Sequence, residues 1–203
     1  MILIQIIAGY VGTAILLIGM FVYLMAIIKG KVISNRVTWG VWVIVNALFC
    51  TSYYESVGFV SSIWTPLAYL IGTVFIFLFL LKYGKSGQWT WVEKWCLLGT
   101  GVILILWMIL KSPLITLTLT MFIDIIGAIP LIITVWKDPA ADYGPAWYFG
   151  FGANLVNLLA IEHWDYANLS YPLYLTVLTF TVAILIRFPH FLRPLNQNDL
   201  IKI

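Results

Sequence analysis

Charged residues divide the chain into long uncharged stretches: Met1–Ile28, Val37–Tyr54, Ser56–Leu81, Trp95–Leu110, Ser112–Trp136 (interrupted only by Asp124), Tyr143–Ile161 and Tyr166–Ile186. A hydrocarbon core of about 30 Å takes ~20 helical residues to cross, so the pattern predicts an all-α membrane protein with seven transmembrane helices. The stretches lack the alternation of outer-membrane strands, and lipid-exposed backbone must satisfy its own hydrogen bonds, so helices rather than a barrel are expected. Composition agrees. With 63% hydrophobic residues, 9% charged and a mean hydropathy of +1.02, the chain is too apolar for a single soluble globular domain. The first stretch has no basic leading region and no A-x-A-like cleavage site, so it reads as the first helix rather than as a signal peptide.

The loops add orientation. Of the 11 basic residues, Lys29, Lys31, Arg36, Lys82, Lys85, Lys94, Lys137, Arg187, Arg193 and Lys202 fall on one side of the predicted topology and only Lys111 on the other. Basic loops face the cytoplasm, which predicts an N-terminus outside and a C-terminus inside, in a bacterial plasma (inner) membrane. The pI of about 8.8 then follows from topology, and no nucleic-acid partner is implied. Cys50 and Cys96 lie inside or at the edge of predicted spans and indicate neither a disulfide framework nor a metal cluster.

Sliding the chain against itself exposes an internal repeat. An offset of 108 pairs Gly19 with Gly127, Lys29 with Lys137, Trp39 with Trp147 and Asn46 with Asn154. An offset of 106 pairs Pro66 with Pro172, Leu67 with Leu173 and Thr73 with Thr179. The predicted organisation is a three-helix unit over 1–82, a loop and linker helix over 83–111, a second three-helix unit over 112–188, and a tail over 189–203. A single linker helix restores parity, so the two three-helix bundles run parallel, related by an axis along the membrane normal.

Polar residues within spans are the candidates for a pathway. Thr116, Thr120 and Asp124 recur every four residues and so share one helical face. A lone carboxylate at mid-span suits a proton, a cation or a cationic substrate group; its structural alternative is a hydrogen bond to a neighbouring helix, with Asn46 or Asn154 as partner. Trp39 and Asn46 are two turns apart on one face, and Trp147 and Asn154 repeat that spacing. Trp42 falls beside the first face, and Gly150 and Asn157 extend the second. Asparagine both donates and accepts, and indole supplies a stacking wall, so these residues suit a polar ligand; interhelical packing and an aromatic belt are the alternatives. Tyr69, Thr73, Tyr174, Thr176 and Thr179 could complete a polar lining or bond back to their own helices. A mid-helix Pro130 removes an N–H and frees the carbonyl of Ile126, and Gly127 beside it makes a hinge easier.

Gly127-Ala-Ile-Pro130, the apolar run to Lys137, the short polar loop, Trp147 and Asn154 resemble a PQ-loop repeat, the unit of the SWEET and SemiSWEET sugar transporters and of lysosomal amino-acid exporters. The PnuC-like vitamin transporters share the 3+1+3 layout. The position after the proline, glutamine in that family, is Leu131, and Val22-Tyr23 occupies the matching place in the first unit. The resemblance implies that Pro130 bends its helix as access alternates and that both units contribute to a paired central pocket. It implies a transporter of a small polar solute, such as a sugar, an amino acid or a vitamin-like molecule, with proton linkage through Asp124 an option. A ligand sensor of the related KDEL-receptor fold, or a structural subunit, is the alternative. An enzyme is not expected: Glu162, His163 and Asp165 cluster at a span end, but no G-x-S-x-G or H-E-x-x-H accompanies them, and Tyr166–Ile186 has no lysine for a retinal Schiff base. No cofactor or metal is expected. The partners expected are a small-molecule substrate and the lipid bilayer, with a homo-oligomer left open.

Overall fold

A computed structural model describes residues 2–32, 36–83 and 91–188. These residues form helices α1 (Ile2–Ile28), α2 (Arg36–Val57), α3 (Trp64–Tyr83), α4 (Trp91–Leu110), α5 (Pro113–Lys137), α6 (Gly144–Leu158) and α7 (Tyr166–Arg187). Short 3-10 turns, Ser61–Ile63 and Pro139–Ala141, lead into α3 and follow α5. Lys85 and the predicted tail over 189–203, with Arg193 and Lys202, lie outside the described residues.

Four segments are long and apolar enough to cross a membrane: Ile2–Ile28, Ser61–Tyr83, Pro113–Lys137 and Tyr166–Arg187. Many of their large side chains, among them Phe21, Phe75 and Phe122, are exposed. Such a surface needs an apolar solvent, as expected of an integral membrane protein. The other three predicted spans fall short of that standard. The apolar part of α4 is Leu97–Leu110, and the 15 residues of α6 extend about 22 Å. Helix α2 is long enough but carries Asn46, Thr51, Ser52 and Glu55. It packs on α3, α5, α4 and α7, so its inward positions meet protein rather than lipid and need not be apolar.

Helix packing has a regular order. Helix α3 lies between α1 and α2, and α7 lies between α5 and α6. The two groups meet through α1 on α6 and α2 on α5, with α2 also touching α7 and α3 touching α6. Exchanging α1, α2 and α3 for α5, α6 and α7 turns this set of pairings into itself. Helix α4 stands apart from it, packed on α5 and α2.

The α1–α6 contact is tight because the buried stripe of α1 is mostly small: Ala8, Gly9, Gly12, Leu16, Gly19 and Ala26. A Cβ at Gly19 would stand 2.7 Å from the Cβ of Phe149, so only glycine admits α6 at this distance.

Hydrogen bonds tie the two groups together at one end. The Gln5 side chain donates to the Ile161 carbonyl at 2.9 Å. Glu162 accepts from the Ser61 backbone N–H at 2.8 Å and from the Ser61 hydroxyl at 2.7 Å. The buried Tyr53 hydroxyl meets Ser62 Oγ at 2.7 Å and donates to the Asn168 carbonyl at 3.0 Å. That carbonyl needs an outside donor because Pro172, inside α7, has no N–H to return to it four residues back.

Tyr53→Phe is therefore expected to cost about 1–3 kcal/mol, the usual penalty for an orphaned buried polar group. In a Pro172→Ala background the backbone N–H returns and the cost should shrink. Thermal unfolding of the four chains of this cycle in detergent checks it; equal losses in both backgrounds would exclude the coupling.

Candidate functional site

A cavity of about 130 Å³ lies between the two groups of helices, room for several waters or one small solute. Its walls are drawn from matched positions of the two halves. At an offset of 108 the lining pairs Leu16 with Asp124, Met20 with Ala128, Tyr23 with Leu131, Trp39 with Trp147 and Trp42 with Gly150. At 106 it pairs Tyr69 with Leu175 and Thr73 with Thr179.

The expected site residues divide into those at the cavity and those away from it. Trp39, Trp42, Trp147, Asn46 and Asp124 line it. Asp124 meets neither asparagine: Tyr174 of α7 donates its hydroxyl to Asp124 Oδ2 at 2.7 Å. The two asparagines are not equivalent. Asn46 borders the space, with its amide donating to the Trp42 carbonyl of its own helix at 2.9 Å. Asn154 is fully buried behind the wall, donating to the Tyr69 hydroxyl at 2.8 Å and the Thr179 hydroxyl at 3.3 Å. Its Oδ1 has no partner.

Asn157 is also fully buried and outside the lining. It packs against α1 at Gly12, and neither of its amide atoms has a partner. Thr116 and Thr120 share the Asp124 face as expected but are buried away from the cavity. Their hydroxyls bond back to the carbonyls of Ser112 and Thr116 at 3.1 and 2.8 Å. Helix α5 continues through position 130 without a break. The side chain of Pro130 lies outside the described set, and its neighbours Ala128 and Leu131, rather than Gly127, reach the cavity.

Two residues outside the expected site set meet beside the cavity, toward the end of the helices opposite Glu162. Tyr23 lines the cavity and packs on Trp39 at 5.4 Å between ring centroids; Trp39 in turn meets Trp42 edge-on at 5.2 Å. Asp142, just before α6, accepts from the Tyr143 backbone N–H at 2.6 Å and from Trp147 Nε1 at 3.1 Å, and from the Tyr23 side chain. Burial pushes its carboxyl above the ordinary range, and these three donors pull it partly back. Tyr23 and Asp142 come from different halves, so the pair bridges them beside the cavity. Lys31 lies 5.5 Å over the Tyr143 ring beside it.

The Glu162, His163 and Asp165 cluster is at the far end of the helices from Asp142. Both acids are occupied with structure: Glu162 holds Ser61, and Asp165 caps α7 by accepting from the Asn168 N–H at 2.9 Å. The Ser61 hydroxyl and N–H hold the Glu162 carboxyl below its usual range. A lowered value means that the unfolded chain binds the extra proton first, so this stabilisation is present above the ordinary glutamate pKa of about 4.3 and is lost as pH falls through the lower folded value. Glu162→Gln is expected to lower the melting temperature at neutral pH while matching the parent in acid, which flattens the acid limb of the profile; an unaltered acid limb would exclude the linkage.

Comparisons with protein-family models, with curated proteins and with solved structures return no match for this chain.

Proposed function

We propose that this chain is an integral membrane transporter that carries a small polar solute through its central cavity by alternating access. In this reading two three-helix units, α1–α3 and α5–α7, move against each other around a shared site. Helix α4 joins them, as the resemblance to PQ-loop and SWEET proteins implies. The observation that carries the proposal is the cavity itself: it sits between the units and takes its lining from matched positions of both. The self-mapping order of helix packing supports the same division.

The bonds that bridge the units at each end are of the kind that opening would break. At the Glu162 end they are Gln5 with Ile161, Ser61 with Glu162, and Tyr53 with Asn168. At the other end it is Tyr23 with Asp142. By the distribution of basic residues, the Asp142 end faces the cytoplasm and the Glu162 end faces outward.

Purified chain in liposomes is expected to show saturable uptake of at least one member of a panel of labelled neutral sugars, zwitterionic amino acids and small amines. Ala128→Leu, which enlarges a small buried lining residue, should lower that uptake by roughly tenfold, equivalent to about 1.4 kcal/mol. Binding in detergent without flux in liposomes would overturn transport in favour of a ligand sensor of the same architecture.

A further inference from the structure

The cavity's chemistry is one-sided, and we infer that its ligand is a small organic cation, an amine or quaternary ammonium compound, held between the Asp124 carboxylate and the aromatic wall. The inference rests on the reading of the cavity as a substrate site and adds the class of substrate.

Among the described residues Asp124 is the one acid in the lining, and no lysine or arginine accompanies it. Tyr174 occupies its Oδ2 with a single hydroxyl hydrogen, which leaves the acceptor capacity of an ionised carboxylate largely open. A charge in so apolar a setting calls for an opposite charge. The helices around it bring none among the described residues: the lining from α1, α2, α3, α6 and α7 holds no cationic side chain.

The second element is aromatic. Tyr23, Trp39, Trp42 and Trp147 wall the same space, with Trp39 at the centre of a contacting group of three rings. Indole and phenol faces attract ammonium groups, most strongly where water is excluded. A cavity of this size brings one small solute within reach of both the carboxylate and the rings.

The third element discriminates against a sugar. A polyhydroxyl ligand needs donors as well as acceptors, and here many donors are already engaged within the protein. The Asn46 amide donates to Trp42, the Thr73 hydroxyl to Tyr69, the Thr179 hydroxyl to Leu175, and the Trp147 indole to Asp142. What remains is chiefly an acceptor, a set of π faces and apolar wall, with few donors left over, such as the second N–H of Asn46. A cation with methyl or methylene groups matches all three.

The test uses the full chain in detergent, with ligand-induced thermal stabilisation as the readout. The probes are choline, tetramethylammonium, the uncharged choline isostere 3,3-dimethylbutan-1-ol, and glucose. Choline is expected to act at a concentration roughly tenfold or more below that of its isostere, and glucose to be silent. Asp124→Asn should abolish that preference. The comparison of choline with its isostere needs no variant, so it stands even where the substituted chain does not fold. Equal action of choline and the isostere would overturn the proposal, because the carboxylate would then contribute nothing. Stabilisation by glucose with choline silent would also overturn it, while leaving the cavity a substrate site. Silence of every probe together with no uptake of any labelled solute would remove the substrate-site reading itself.

Discussion

Asp124→Asn is expected to reduce saturable uptake by roughly 10- to 100-fold while leaving the fold intact. The two halves of that result have separate causes. The asparagine carbonyl still accepts the Tyr174 hydroxyl that Asp124 Oδ2 accepts at 2.7 Å, so the α5–α7 contact persists. What disappears is the only negative charge facing the cavity among the described residues. A hydrogen bond to a charged group contributes about 1.5–3 kcal/mol, and 1.4 kcal/mol corresponds to a factor of ten, which sets the range. Tyr174→Phe makes the complementary change, keeping the charge and removing one donor, and its loss should be nearer to tenfold or below. The check is initial uptake rate in liposomes against melting temperature in detergent for both variants. If Tyr174→Phe cost as much uptake as Asp124→Asn at equal stability, the carboxylate would matter through its internal bond and not through the cavity.

Gly9→Val is expected to have the largest effect on folding. A Cβ at position 9 would run into the carbonyl oxygen of Ser61, and backbone in the turn that leads into α3 cannot swing aside as a side chain can. That turn carries Ser61, which holds Glu162, and Ser62, which holds Tyr53. Pushing α1 off it therefore loosens the bonds that tie both units together. Overpacking of this kind typically costs 1–3 kcal/mol and sometimes more, so the variant should melt several degrees lower, with Gly9→Ala intermediate. Gly101→Ala is the internal control. It also lies within a helix but has open space around it, and the helix propensity gained, about 1 kcal/mol at most, should leave stability equal or slightly higher. Equal effects at positions 9 and 101 would mean that α1 does not approach Ser61 as described.

Much of the architecture was legible in the residues. The uncharged stretches locate all seven helices, because charge within a span is costly enough to keep its boundaries clean. The pairs Trp39 with Trp147 and Thr73 with Thr179 stood out through the repeat, and both pairs reach the cavity. Asp124 stood out because an acid is rare at that depth. Tyr23 was visible only as the repeat counterpart of Leu131 and otherwise is one aromatic among many in an apolar chain, while Asp142 reads as one acid in a solvated loop.

The partial failures share a cause. Helical periodicity placed Thr116 and Thr120 on the face of Asp124, and Asn157 on the face of Asn154, and it fixes an angle around a helix axis. It does not say what stands opposite that angle at each level. Thr116 and Thr120 meet packed neighbours, Asn157 meets α1, and Asn154 sits behind Tyr69 while Asn46 opens on the cavity. Segment boundaries, polarity and the repeat are local properties of the chain, set by the cost of charge and unpaired backbone in lipid. Which of two repeated asparagines faces a ligand, and which tyrosine takes the lone acid, depends on neighbours more than 20 residues away. Only the packing of α1 on α6 and α5 on α7 settles those assignments.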